Sequence, residues 1–207
     1  GVIPGSGDDV TIKAGHTVTL SDTRSCNTLT VETGATFGSG GTLNKSGTFL
    51  NQGITNWTGD FTGAGSVIND GTLNINGANN HNTTTNITNN AGKTINWNDG
   101  FIDQNAGGQI LTNNGILNLI GNNPSTFTCN MPIVNAGTIN KTAGTLGIAQ
   151  TLNNQAAGTV VISAGAFLQF NTGGNLTQSG TFTVNGTVIL NGGSHTFDVN
   201  FTGTGTL

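Results

Sequence analysis

The sequence predicts an all-β chain wound as a right-handed parallel β-helix, a β-solenoid with coils of about 22 residues and an N-terminal cap. Three observations lead there. Of 207 residues, 34 are Gly, 36 Thr and 31 Asn, while Tyr is absent and Glu occurs once. Straight-chain helix formers are scarce, and β-branched Thr with turn-permissive Gly and Asn dominates, which counts against helical bundles and α/β folds. A Gly-centred motif then recurs seven times along the chain. After each of those glycines apolar and polar residues alternate, the period of a strand with one buried face.

Charge narrows the partners. Only 7% of positions are charged, against roughly 25% in an average domain. A net charge of −4, with Arg24 the only guanidinium, cannot build the basic stripe that nucleic acid or an anionic membrane requires. No run approaches the ~18 apolar residues of a membrane span. Hydrophobic residues make up 33%, few for a compact core of this length but enough for the thin core of an elongated fold.

Residues 1–40 read as capping strands and first coils. Asp8 to Leu20 holds two alternating strands about Gly15, with Lys13 and, close by, Asp22 among its charges. A solenoid's first coil has a bare sheet edge, and a charged, atypical start is what protects one. Residues 41–207 read as the repetitive body of a single elongated domain. Its motif copies are Lys45-Ser46-Gly47-Thr48-Phe49, Asn69-Asp70-Gly71-Thr72-Leu73, Asn90-Ala91-Gly92-Lys93-Thr94-Ile95, Asn113-Asn114-Gly115-Ile116-Leu117, Asn135-Ala136-Gly137-Thr138-Ile139, Ala156-Ala157-Gly158-Thr159-Val160 and Gln178-Ser179-Gly180-Thr181-Phe182. Their glycines recur at a nearly constant step of about 22 residues. A second Gly follows in each copy, so one repeat is several short strands joined by glycine corners. A leucine-rich repeat would need helix formers that are not here, and a meandering β-sandwich would not need a constant step. The chain begins at Gly1-Val2-Ile3-Pro4 and stops within the pattern at Thr206-Leu207, as a mature form or a segment of something longer would. No second cap precedes Leu207, so the last edge is expected to be covered by further sequence or to pair with a neighbour.

The opening Pro4-Gly5-Ser6-Gly7-Asp8-Asp9-Val10-Thr11-Ile12, followed by Gly15-His16-Thr17-Val18-Thr19-Leu20 and Leu29-Thr30-Val31-Glu32-Thr33-Gly34-Ala35-Thr36-Phe37, resembles the start of repetitive extracellular β-helix proteins of bacteria, including adhesin-like surface proteins of Bacteroidetes. The Asn-x-Gly-Thr repeats are similar to the same group over essentially the whole chain. The resemblance implies surface display and an adhesive or stalk role, and it carries no catalytic residues to transfer. Low charge and few lysines also suit an extracellular or cell-surface protein.

Stacking turns positions into columns. Asn69, Asn90, Asn113 and Asn135, two residues before the Gly, are expected to form a structural amide ladder. The strand after the Gly aims Leu73 and Ile75, Ile95 and Trp97, Leu117 and Leu119, Val160 and Ile162, and Phe182 and Val184 into the core. It aims Thr72 and Asn74, Thr94 and Asn96, Thr138 and Asn140, and Thr181 and Thr183 outward, with interruptions at Ile116 and Val161. This rigid array of small polar groups would suit a glycan, ice or another ordered surface. Trp97 falls in a core column, and Trp57 reads as packing or as an exposed sugar-stacking ring.

The sequence holds no catalytic constellation. Asp60, Asp70, Asp99, Asp103 and Asp198 read as lying at different phases of the repeat, and only Asp99 and Asp103 are close in sequence, with Lys93 the nearest base. Glycoside hydrolysis needs two carboxyls at a defined separation, and lyases of this shape need a carboxylate cluster plus a base. His16, His81 and His195 are dispersed and have no partner ligand at metal spacing. Cys26 and Cys129 fall four to five coils apart, roughly 20 Å, beyond disulfide reach, and are expected to be free, inward-facing thiols. The sequence therefore predicts a non-catalytic structural or adhesive segment without cofactor or metal, able to self-associate through open solenoid ends. The alternative is a glycan- or ice-binding surface module, and a polysaccharide lyase or hydrolase ranks last.

Overall fold

The computed structural model describes residues 3–104, 107–121, 128–171, 173–198 and 200–207. Among them are 28 strands of three or four residues and no helix. Hydrogen bonds join the strands into sheets of ten, nine and nine members, and every third strand of the chain is a neighbour in the same sheet. Sheet A runs from Val10–Ile12 to His195–Phe197, sheet B from Thr17–Leu20 to Thr181–Val184, and sheet C from Arg24–Cys26 to Thr187–Leu190. Every pairing is parallel. The chain is a β-solenoid of about nine three-sided coils, whose described strands fall within residues 10–26, 29–45, 49–63, 66–83, 86–104, 111–119 with 128–130, 133–148, 151–170 and 175–190. His195–Phe197 and bridges from Thr202 to Thr183 and from Thr206 to Thr187 begin a tenth. At about 4.8 Å per rung the body is roughly 45 Å long.

The two strands read around Gly15 are the first members of sheets A and B, in register with Leu29–Val31 and Thr36–Ser39. Charges gather there: Asp8, Asp9, Lys13, Asp22, Arg24 and Glu32 all belong to this end.

Alternation fills the prism. All ten core residues read from the strands after the glycines are at most 4% exposed. Aromatic rings meet through coils 2 and 3, Phe37 edge-to-face with Phe49 at 5.9 Å, Phe49 edge-to-face with Phe61 at 5.3 Å, and Phe61 stacked on Trp57 at 4.4 Å.

Corners impose a second demand. Their carbonyls turn into a dry interior and need donors. At many corners the last strand residue points inward and bonds the carbonyl two residues on. Ser39 Oγ reaches Gly41 O at 3.4 Å, Trp57 Nε1 reaches Gly59 O at 2.6 Å, Trp97 Nε1 reaches Asp99 O at 3.1 Å and Asn135 Nδ2 reaches Gly137 O at 3.2 Å. Trp57 is wholly buried, so its role is packing and corner closure.

The register differs from the sequence expectation. Side chains that meet along sheet A, from Asn51 through Asn69, Asn89, Asn113, Asn135 and Asn154 to Gln178, stand 18, 20, 24, 22, 19 and 24 residues apart. Coil length therefore varies, and over the whole sheet it averages roughly 20 residues, shorter than the step of the motif glycines. Gly47 precedes a sheet A strand, Phe49–Asn51, whereas the other six motif glycines precede sheet B strands. The stacked corner column is Gly53, Gly71, Lys93, Gly115, Gly137, Gly158 and Gly180, each of the first six carbonyls accepting from the first N–H of the next sheet B strand. Gly92 drops out because its corner carries extra residues. Close approach selects Gly in this column: a Cβ on Gly71, Gly115 or Gly137 would lie 2.2–2.3 Å from a carbonyl oxygen of the preceding coil.

Candidate functional site

Sheet B presents two outward columns. The first is Thr17, Thr36, Ile54, Thr72, Thr94, Ile116, Thr138, Thr159 and Thr181, and the second Thr19, Gly38, Asn56, Asn74, Asn96, Asn118, Asn140, Val161 and Thr183. The eight array residues read from the sequence stand in these columns, none of them buried. Neither column holds a charged residue. Neighbours in a column lie about 4.8 Å apart, and the columns are about 6.6 Å apart along each strand.

The second column is tied together. Asn74, Asn96, Asn118 and Asn140 each donate Nδ2 to the Oδ1 of the Asn one coil earlier, at 2.9, 2.9, 2.9 and 3.0 Å. Each interior amide plane is thereby held at a fixed angle. Asn56 and Asn118 belong to this ladder although the sequence reading passed over them. Ile54 and Ile116 two residues earlier masked the pattern.

A second ladder is buried at the corner between sheets A and B. Asn51, Asn69, Asn89, Asn113 and Asn135 each donate Nδ2 to the next amide oxygen at 2.7–2.8 Å, and Asn154 donates to Gln178 Oε1 at 2.9 Å. Asn69, Asn113 and Asn135 occupy the column read from the sequence. Asn90 does not: the buried rung is Asn89, because the corner 90–93 is longer than its neighbours and moves the Asn-x-Gly spacing off the strand end. Asn51, Asn154 and Gln178 extend the ladder. Their signal was an amide at the last position of a sheet A strand, independent of the Gly that follows.

On sheet C the carboxylates correct another expectation. Asp60 and Asp103 share one outward column, with Asn82 between them and Asn130 beyond. Asp60 Oδ1 accepts from the Asn82 backbone N–H at 2.8 Å and from its Nδ2 at 3.2 Å, and Asp103 Oδ1 accepts from Asn130 Nδ2 at 2.7 Å. The two carboxylates are two coils apart, a phase match hidden by unequal coil lengths. Lys93, the base nearest in sequence to Asp99 and Asp103, has its Nζ 3.6 Å from Asp70 instead. Lys13 pairs with Glu32 at 2.6 Å and Arg24 with Asp22 at 2.5 Å.

The remaining two cations are inside. Lys45 and Lys141 are wholly buried. Lys45 Nζ donates to Ala64 O at 3.2 Å, and Lys141 Nζ donates to Gly121 O at 2.8 Å and to the carbonyls of Leu119 and Ala143. Burial pulls both ammonium groups down to about 8. Cys26 and Cys129 are free and buried, in coils 1 and 6, and burial pushes the Cys129 thiol up to about 12.

Among the described residues no three His, Cys, Asp or Glu side chains converge as a metal site, and no helix is long and apolar enough to cross a membrane. A cavity of about 750 Å³ opens at the first coil, lined by Val10, Ile12, Val18, Leu20, Leu29 and Phe37 among others. No protein-family model, no curated protein and no solved structure matches the chain.

Proposed function

We propose that this chain is a non-catalytic structural and adhesive segment of a secreted or cell-surface bacterial protein, a stiff rod that carries a neutral Thr/Asn surface. One observation carries the reading: three parallel hydrogen-bond ladders and a buried amide ladder from Asn51 to Gln178 run through the same coils. Parting one coil from the next then breaks many bonds together. The composition and the resemblance of the opening residues and repeats to bacterial adhesin-like β-helix proteins support the location. Placement of all five cations away from the Asp60–Asp103 column supports a role without lyase chemistry. Single-molecule pulling between the chain ends tests the rod: a force peak that falls on Asn113→Ala is expected, and extension like that of an unstructured linker would refute it. Open-ended stacking is part of this reading, and a strictly monomeric particle across a concentration series would remove that part.

A second reading rests on the outward ladder from Asn56 to Asn140 beside the Thr column. A rigid, uncharged, hydrogen-bonding lattice suits an ordered neutral surface, a glycan or ice. Thermal hysteresis and polysaccharide pull-down test it, with Thr94→Tyr and Thr138→Tyr abolishing either signal. Absence of both signals in the parent chain would eliminate the reading.

A further inference from the structure

Asn-Gly occurs four times in the chain, at Asn76-Gly77, Asn114-Gly115, Asn185-Gly186 and Asn191-Gly192. In this dipeptide the asparagine side chain is open to attack from its own backbone, because Gly puts no side chain beside the following N–H. Stacking of the coils sorts the four pairs into two kinds. Gly115 and Gly186 are buried corner residues, and a Cβ on either would lie 2.3 Å from a carbonyl oxygen of the preceding coil, that of Lys93 or of Ala166. Gly186 also has its N–H tied to Ile162 O at 3.1 Å. Gly77 and Gly192 are exposed, with φ +91 and +116 and nothing within 4 Å of the Cβ position. Gly77 lies in the turn from the sheet B strand Thr72–Ile75 to the sheet C strand Asn80–Thr83, and Gly192 in the turn from Thr187–Leu190 to His195–Phe197. Among the described residues no group accepts from either N–H. The two asparagines differ in restraint. Asn76 Oδ1 accepts from Asn98 Nδ2 at 2.7 Å, whereas the exposed Asn191 side chain has no hydrogen-bond partner among the described residues.

We propose that Asn191 and Asn76 are self-modifying sites: each converts to aspartate or isoaspartate without an enzyme, Asn191 first, while Asn114 and Asn185 are protected as long as the coils stay stacked. The step is a cyclisation. The backbone nitrogen of the following Gly gives up its proton to solvent and bonds to the Asn side-chain Cγ, the Cγ–Nδ2 bond breaks, and ammonia leaves with a proton taken from water. A five-membered succinimide remains. Water then adds to one of its two carbonyls and breaks the C–N bond there, which leaves aspartate or, with the main chain rerouted through the side-chain carbon, isoaspartate. Ring closure swings the Gly nitrogen and Cα toward the side chain. At Gly77 and Gly192 that movement meets open solvent, which also supplies the water, whereas at Gly115 and Gly186 it is blocked by the carbonyls stacked against the corner. The Asn98 bond restrains the Asn76 side chain, and Asn191 has no such restraint. Each conversion adds one negative charge to a chain of net charge −4. Neither position stands in the two outward columns of sheet B, so the modification does not depend on what the rod adheres to.

Peptide mapping by mass spectrometry after incubation at mildly alkaline pH tests the sites, with the native chain and the chain unfolded in urea sampled in parallel. In urea all four asparagines are expected to convert. In the native chain acid should accumulate at position 191 and then at position 76. Asn114 and Asn185 should react there at no more than about a tenth of their rate in urea, which corresponds to about 1.4 kcal/mol added to the barrier. Conversion of Asn114 or Asn185 in the native chain as fast as that of Asn191, Asn191 and Asn76 staying intact while they convert in urea, or Asn76 reacting ahead of Asn191 would each overturn the proposal.

Discussion

Asn89 donates its side-chain amide to Asn113 Oδ1 at 2.8 Å and to the Ile116 carbonyl at 3.0 Å. Asn113 repeats the arrangement toward Asn135 and Thr138, at 2.7 and 3.1 Å. Each rung therefore ties its coil to the next twice, once through an amide and once through the backbone of sheet B. A polar column runs through an apolar prism because every donor in it has a partner.

Removing one rung should cost more than one bond. Asn113→Ala leaves the Asn135 Oδ1 acceptor unpaired in the interior, worth about 1–3 kcal/mol, and removes the Asn113 bonds to Asn89 and to the Thr138 carbonyl as well. Asn90→Ala, outside the ladder, should stay within about 0.5 kcal/mol. Urea unfolding of the two variants distinguishes them, and equal losses would contradict the assignment of Asn89 to the ladder.

Corner glycines should separate into two classes. A Cβ at Gly115 would lie 2.3 Å from Lys93 O, whereas Gly165 has φ +76 and open space around it. Gly115→Ala forces stacked corners apart and is expected to abolish cooperative folding. Gly165→Ala meets only the left-handed backbone penalty of about 1–2 kcal/mol. Thermal melts of both variants check the ranking.

The buried lysines predict stability that rises with alkalinity. Lys45 and Lys141 titrate at about 8 in the folded chain and at 10.5 when unfolded. Between these values the unfolded chain binds more protons, so unfolding free energy climbs with pH and then levels off, while below this window the two states bind alike. The gain is on the order of 3 kcal/mol per lysine. Lys141→Met should flatten about half of the rise in urea midpoints measured across that window.

The thiols should react in a fixed order. Cys129 is sealed in coil 6, while Cys26 lines the cavity at the first coil. Iodoacetamide on the native chain should label Cys26 first and Cys129 only after denaturation, read by peptide mass mapping. Prior labelling of Cys129 would reverse the burial order.

Much of this architecture follows from local chemistry. Alternation after each Gly identified Leu73, Ile95, Leu117, Val160 and Phe182 as core and Thr72, Thr94, Thr138 and Thr181 as surface, because period two assigns faces within one strand without reference to any other. The repeat step in turn separated Cys26 from Cys129 by several coils. What it could not reach was the alignment of distant coils. Asn90 stood in for Asn89, Gly47 for Gly53, and Asp60 was parted from Asp103.

The sequence by itself determined the kind of fold and the inward and outward faces of its strands, since composition and alternation act over a few residues. Tertiary structure alone decided which residues share a column. Successive rungs of the buried ladder are separated by as few as 18 residues, from Asn51 to Asn69, and by as many as 24, from Asn89 to Asn113. The difference is absorbed in corners whose length no local rule sets. A slip of one residue turns a buried rung into a solvent-facing side chain, so the ladders and the carboxylate column exist only once the coils are stacked.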